Sequence, residues 1–160
     1  RDQLMFFAIA AGITLLVLLY FFCMPKFRST DELIVTFLTI IFFYLSFISI
    51  VDVNLERINV SEDADKLLAF RLLELFVYPT VMTGIVDRMK TERLGNRLVT
   101  FVVGLCFLAA VEWWQLSMIV NYNDWHLGFA AAGWIVMIAL GWCGQFLYNK
   151  IYVKGSVNSG

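Results

Sequence analysis

The sequence is poor in charge and in the side chains that most often bind metals. Only 16% of its 160 residues are charged, and it has one histidine, His126, and three cysteines without a Cys-x-x-Cys pair. A single histidine and scattered cysteines argue against a metal or haem site and against a disulfide framework. We therefore expect no cofactor, and we interpret Cys23, Cys106 and Cys143 as small buried apolar residues.

Motifs for catalysis and nucleotide binding are also missing. The chain has no glycine-rich phosphate loop, no H-E-x-x-H and no G-x-S-x-G. Its net charge of −1 gives no reason to expect a nucleic-acid partner. We predict that the protein is not an enzyme.

Apolar residues are abundant instead. They make up 61% of the chain, against about 45–50% in soluble domains. They form five runs of about 20 residues, each long enough to cross a hydrocarbon core about 30 Å thick as a helix. The predicted fold is an all-α, polytopic transmembrane bundle with spans at about 4–24, 33–51, 67–86, 98–120 and 125–148. We predict one domain over residues 1–154 and a flexible tail at 155–160.

The positive charges between the runs alternate from side to side. Eight lysines and arginines follow the first, third and fifth runs: Lys26, Arg28, Arg88, Lys90, Arg93, Arg97, Lys150 and Lys154. The positive-inside rule places these segments in the cytoplasm, which predicts a multi-pass cell-membrane protein with its N-terminus outside and its C-terminus inside. We interpret Arg88, Lys90, Arg93 and Arg97 as a cytoplasmic basic loop that sets topology. Contact of this loop with anionic lipid headgroups is the alternative.

Several polar residues fall inside or at the edge of the apolar runs, in the predicted outer half of the membrane. The candidate cluster comprises Asp52, Arg71, Glu74, Tyr78, Glu112, Gln115 and His126. Charged groups within a membrane are costly, so Arg71 is expected to pair with Glu74 or with Glu112, at similar depth. Three interpretations stay open: an ion pair that fixes helix register, a site for a proton, cation or small molecule, and a docking site for a partner.

Proline and small residues add two further expectations. Pro79 lacks a backbone N–H, so the third span should kink there, as a tolerated bend or as a hinge. Small residues at four-residue spacing permit close helix approach, either within the bundle or in an oligomer. They are Ala8, Gly12, Gly128, Ala132, Gly133, Gly141 and Gly144.

These features together resemble an uncharacterised family of small five-span membrane proteins from Gram-positive spore-forming bacteria. The shared elements, in order, are Pro25-Lys26, Asp52, Phe76-Val77-Tyr78-Pro79, Glu112, and Tyr122 followed by Trp125. The resemblance implies a bacterial cytoplasmic-membrane protein but no reaction. Arg71 lies outside the shared pattern.

The functional expectation is a small integral membrane protein that acts by interaction, as a subunit or accessory. Its expected partners are membrane lipids and either another membrane protein or further copies of itself. The first alternative is a small oligomeric transporter of protons, cations or small molecules that uses the outer-leaflet carboxylates. The second is an intramembrane enzyme acting on lipid.

Overall fold

The computed structural model describes residues 4–51, 58–60, 63–90, 93–118, 120–122 and 127–153. Two of the predicted cluster residues, Asp52 and His126, lie outside the described residues.

Five helices are long and apolar enough to cross a membrane. They are α1 (Met5–Cys23), α2 (Thr30–Ser49), α3 (Ala64–Arg88), α4 (Leu94–Met118) and α5 (Leu127–Tyr152). The helical class and the number of spans match the predictions. The boundaries differ by two to four residues at several ends, because polar residues such as those in Thr30–Glu32 still form the first turns of helices. Ser29, for example, accepts a hydrogen bond from the backbone N–H of Glu32.

A short β-ribbon, which the sequence did not predict, joins two of the connections. Strand β1 (Ile58–Val60) precedes α3, strand β2 (Val120–Tyr122) follows α4, and they pair antiparallel with Ile58 opposite Tyr122. We call this end of the bundle the ribbon end. The opposite end, where α3 finishes at Arg88 and Lys90 follows, is called the basic end. Since the ribbon ties the start of α3 to the end of α4, these two helices run in opposite directions.

Helix α3 is the central helix. It contacts each of the other four, and 67% of its most apolar 18-residue stretch is buried, against 11% for α1 and for α4. This position explains how the least apolar span tolerates polar residues: its neighbours shield most of it from lipid.

The cysteines are not buried, so the expectation that they fill the core is wrong. Cys23, Cys106 and Cys143 are free thiols exposed on the outside of the bundle. Both faces of a helix in a membrane meet apolar surroundings, since lipid tails are as apolar as leucine. An apolar residue therefore gives no signal of which way it faces.

The small residues divide between internal packing and open surface. Gly133, Gly141 and Gly144 of α5 lie against side chains of α2, and a Cβ at Gly141 would come within 2.7 Å of Ile40. A Cβ at Gly12 or at Gly128 would meet nothing within 4 Å. The α2–α5 interface thus depends on small residues, whereas Ala8 and Gly12 of α1 face outward.

Candidate functional site

A buried tyrosine joins helices at the centre of the bundle. The Tyr78 hydroxyl of α3 donates a 2.6 Å hydrogen bond to Oε2 of Glu112 on α4 and lies 3.0 Å from Oε1 of Gln115. The three residues are at most 6% exposed. The Tyr78 ring stacks on Tyr44 of α2 at 5.5 Å and lies 6.0 Å from the ring of Trp134 on α5. We call Tyr78, Glu112 and Gln115 the central cluster; it connects four helices.

The direction of the side chains explains how Tyr78 and Glu112 meet. Tyr78 is 14 residues from the start of α3, about 21 Å from the ribbon end, whereas Glu112 is six residues, about 9 Å, from the end of α4. Helical side chains lean toward the N-terminus of their own helix. In antiparallel helices, Tyr78 leans toward the ribbon end and Glu112 toward the basic end, so the two side chains approach each other.

The hydrogen bonds of the cluster determine which way the Gln115 amide is oriented. A phenol carries one proton, and the 2.6 Å distance assigns it to the Glu112 carboxylate. The buried Nε2 of Gln115 has no hydrogen-bond partner in the described part of the chain. Rotating the amide by 180° lets its N–H donate to the Tyr78 oxygen, which places both hydrogen bonds in their chemically consistent direction.

Arg71 pairs with its neighbour on the same helix. Its Nη1 lies 2.7 Å from Oε2 of Glu74. The Arg71 side chain is 48% exposed while that of Glu74 is 2% exposed, so the pair reaches from the core to the outer surface of α3. Because α3 begins at Ala64, Glu74 lies about 15 Å from the helix start, deeper than Glu112 in α4 and not at the similar depth expected from the sequence.

The backbone around Glu74 is π-helical. Residues Leu73–Val77 form one π-helical segment directly before Pro79, and the N–H of Tyr78 donates to the carbonyl of Leu73, five residues back. The wider turn accommodates a residue that has no N–H to donate. The sequence predicted a kink at Pro79; the structure shows this π-helical segment before it, and Glu74 lies within the segment.

Two aspartates that sequence reasoning did not single out hold α1 against α3. Asp65 accepts hydrogen bonds from the N–H groups of Phe6 and Phe7 at 3.0 and 2.9 Å, and so caps the first turn of α1 from another helix. At the other end of α3, Asp87 accepts from the N–H groups of Phe27 and Arg28 at 3.1 and 3.0 Å. The available signal for Asp87 was its charge, since it is an acid directly before the four residues of the predicted basic loop.

A second polar contact links helices near the basic end. Gln145 of α5 donates to Glu32 of α2 at 3.0 Å, and Lys90 lies 4.0 Å from the same carboxylate. Burial lowers the pKa of the Arg28 guanidinium, and the carboxylates of Glu32 and Asp87 partly offset this effect. Arg28 remains charged at physiological pH.

The residues of the predicted basic loop differ in how far they are buried. Arg88 is half-buried and donates from Nε to the sulfur of Met24 at 3.2 Å, with its guanidinium 5.1 Å from the ring centroid of Phe27. Lys90 and Arg93 are exposed, and Arg97 is partly buried on the first turn of α4.

Comparison with known proteins adds no assignment. No protein-family model matches the chain, and neither a curated protein nor a solved structure matches it. The resemblance drawn from the sequence therefore stays a prediction. Among the residues that the structure describes, no three His, Cys, Asp or Glu side chains are grouped closely enough to hold a metal ion.

Proposed function

We propose that this chain is a multi-pass protein of the bacterial cell membrane that acts by interaction, as a small subunit or accessory protein. The observation that carries the proposal is that four of its carboxylates form hydrogen bonds between different parts of the bundle. Glu112 and Glu32 bind side chains of other helices, while Asp65 and Asp87 bind backbone N–H groups around α1. Groups held between helices in this way suit a rigid scaffold better than a carrier that must release and rebind its cargo.

The outer surface supports the same role. Ala8 and Gly12 leave an open strip on α1, where a helix of another protein can approach closely. Arg71 is paired with Glu74, yet its guanidinium stays half-exposed about 10 Å along α3, where contact with lipid is unfavourable for a charge. A polar group of a partner would stabilise it.

The orientation belongs to this proposal as well. The basic end faces the cytoplasm and the ribbon end faces outward, following the distribution of lysine and arginine. In a variant without native cysteines, a cysteine at Asn123 should react with a membrane-impermeant thiol reagent on intact cells. A cysteine at Thr91 should react only after the membrane is opened. Labelling of Thr91 in intact cells would refute the orientation.

Site-specific photo-crosslinking in native membranes tests the interaction role. A photoreactive residue at Gly12 should give one discrete adduct with another membrane protein or a second copy. The same residue at Phe146, on the exposed face of α5, should give none. The Gly12 adduct should persist with Glu112→Gln, because an amide preserves the shape of the side chain.

Transport is the second candidate, favoured by the π-helical segment that contains the buried Glu74 before Pro79. Such segments occur frequently at functional sites. Proteoliposomes separate the two functions: a proton or cation flux that disappears with Glu74→Gln or Glu112→Gln, without an adduct at Gly12, would replace the interaction proposal with transport.

A further inference from the structure

An apolar groove runs along the bundle between α1 and α4, with α3 as its floor. Its volume is about 620 Å³, and its walls include Leu16 and Tyr20 of α1, Gly84 of α3, and Val103 and Phe107 of α4. This volume is typical of sites for single small molecules. A whole membrane-spanning helix, about 10 Å wide and 30 Å long, occupies roughly 2,400 Å³. The groove can enclose an acyl chain, whereas a whole helix would lie mostly outside it.

The length of the groove matches one leaflet of a bilayer. Along α1, its lining extends from Ile13 to Met24, which is about 16 Å at 1.5 Å per residue. Half of a hydrocarbon core about 30 Å thick is about 15 Å. The groove starts at the basic end, so it lies within the leaflet on that side.

Two cationic side chains, Arg88 and Lys26, lie where the groove reaches the basic end. Arg88 is a lining residue, and its planar guanidinium has five N–H donors that suit phosphate oxygens. The Lys26 ammonium lies 4.4 Å from the ring centroid of Phe21, another lining residue. The neighbouring acid, Asp87, is fully buried and engaged by backbone N–H groups. A negative headgroup would complement this end.

We propose that the groove is a binding site for one anionic phospholipid of the leaflet at the basic end. One acyl chain lies between α1 and α4, and the phosphate meets Arg88. This inference rests on the membrane-spanning architecture and not on the proposed interaction role, so either can fail without the other.

Adjacent valines on α4 provide a matched test. Val103 lines the groove and is 61% exposed, whereas Val102 does not line it and is 56% exposed. In native mass spectrometry from mild detergent, the wild-type protein should retain one anionic phospholipid per chain. Val103→Trp should lose it because the indole fills the groove, and Val102→Trp should keep it.

The headgroup is tested by competition between phosphatidylglycerol and phosphatidylcholine with identical acyl chains. Arg88→Gln should lower the preference for phosphatidylglycerol by about fivefold, as expected for one cation near an anionic lipid. Lys90→Gln, outside the groove, should change it less. Equal retention by the two tryptophan variants, or a lipid-free dimer of the wild-type protein, would overturn the proposal.

A measurement on the wild-type protein avoids any effect of substitution on folding. Phosphatidylglycerol with a photoreactive group in its acyl chain should label residues of α1 and α4 that line the groove, such as Leu16 and Phe107. Labels spread evenly over the exposed faces of all five helices would show that no such site exists.

Discussion

Replacing Tyr78 with phenylalanine is expected to lower the free energy of unfolding by about 2 kcal/mol. Hydrogen bonds to charged groups contribute about 1.5–3 kcal/mol, while those measured between membrane helices average about 0.6 and reach about 1.7 kcal/mol. The Tyr78 bond should lie near the upper membrane value, because it is short, buried and accepted by a carboxyl oxygen. Its loss also removes the contact of Gln115 with the phenol.

A double-mutant cycle in mixed micelles measures this contact directly. Tyr78→Phe and Glu112→Leu should together cost about 1–2 kcal/mol less than the sum of the single changes, since each removes the same interaction. Tyr152→Phe is the control, because Tyr152 is 69% exposed, and its change should stay within about 0.5 kcal/mol. Simple additivity would mean that Tyr78 and Glu112 do not stabilise each other.

The Asp87→Ala change is expected to destabilise the protein more, by about 3 kcal/mol. Asp87 is 0% exposed and accepts hydrogen bonds from two backbone N–H groups of the α1–α2 connection. A buried donor left without a partner costs about 1–3 kcal/mol, and these two donors are partly buried.

Asparagine separates the roles of shape and charge at this position. Asp87→Asn keeps an acceptor oxygen and should cost about 1 kcal/mol, since the hydrogen bonds remain and the charge is lost. The control is Asp31→Ala, at an exposed acid in the first turn of α2, with an expected cost of about 0.5 kcal/mol. If Asp87→Ala and Asp31→Ala had equal effects in a chemical unfolding titration, Asp87 would not anchor the connection.

The central cluster shows which features of a site can be predicted from residue spacing. The sequence marked Arg71, Glu74, Tyr78 and Glu112 as polar groups within apolar runs, because such groups are costly there. It left open whether Arg71 pairs with Glu74 or Glu112. In the structure Arg71 pairs with Glu74 on its own helix, and Glu112 accepts from Tyr78. A choice between partners on two helices depends on rotation and offset, which spacing along one helix does not contain.

Residues near helix ends were the hardest to recognise. Asp65 and Asp87 lie in the first and last turns of α3, beside loop charges, and they matter because they accept from backbone N–H groups of α1 and of its connection to α2. These partners are about 60 residues away in sequence. Every residue except proline has a backbone N–H group. The sequence therefore gives no indication of which side chain will accept a hydrogen bond from a particular one.

What the sequence by itself determined is the number of helices that can cross a membrane. Length and hydropathy suffice for this, because a span must satisfy its backbone groups internally and match the thickness of the hydrocarbon core. Tertiary structure alone decided which helix is central, which faces are buried and where a groove opens. The physical reason is that lipid and protein interior are both apolar, so the hydrophobic pattern does not show which apolar face of a helix is exposed, as the three cysteines illustrate.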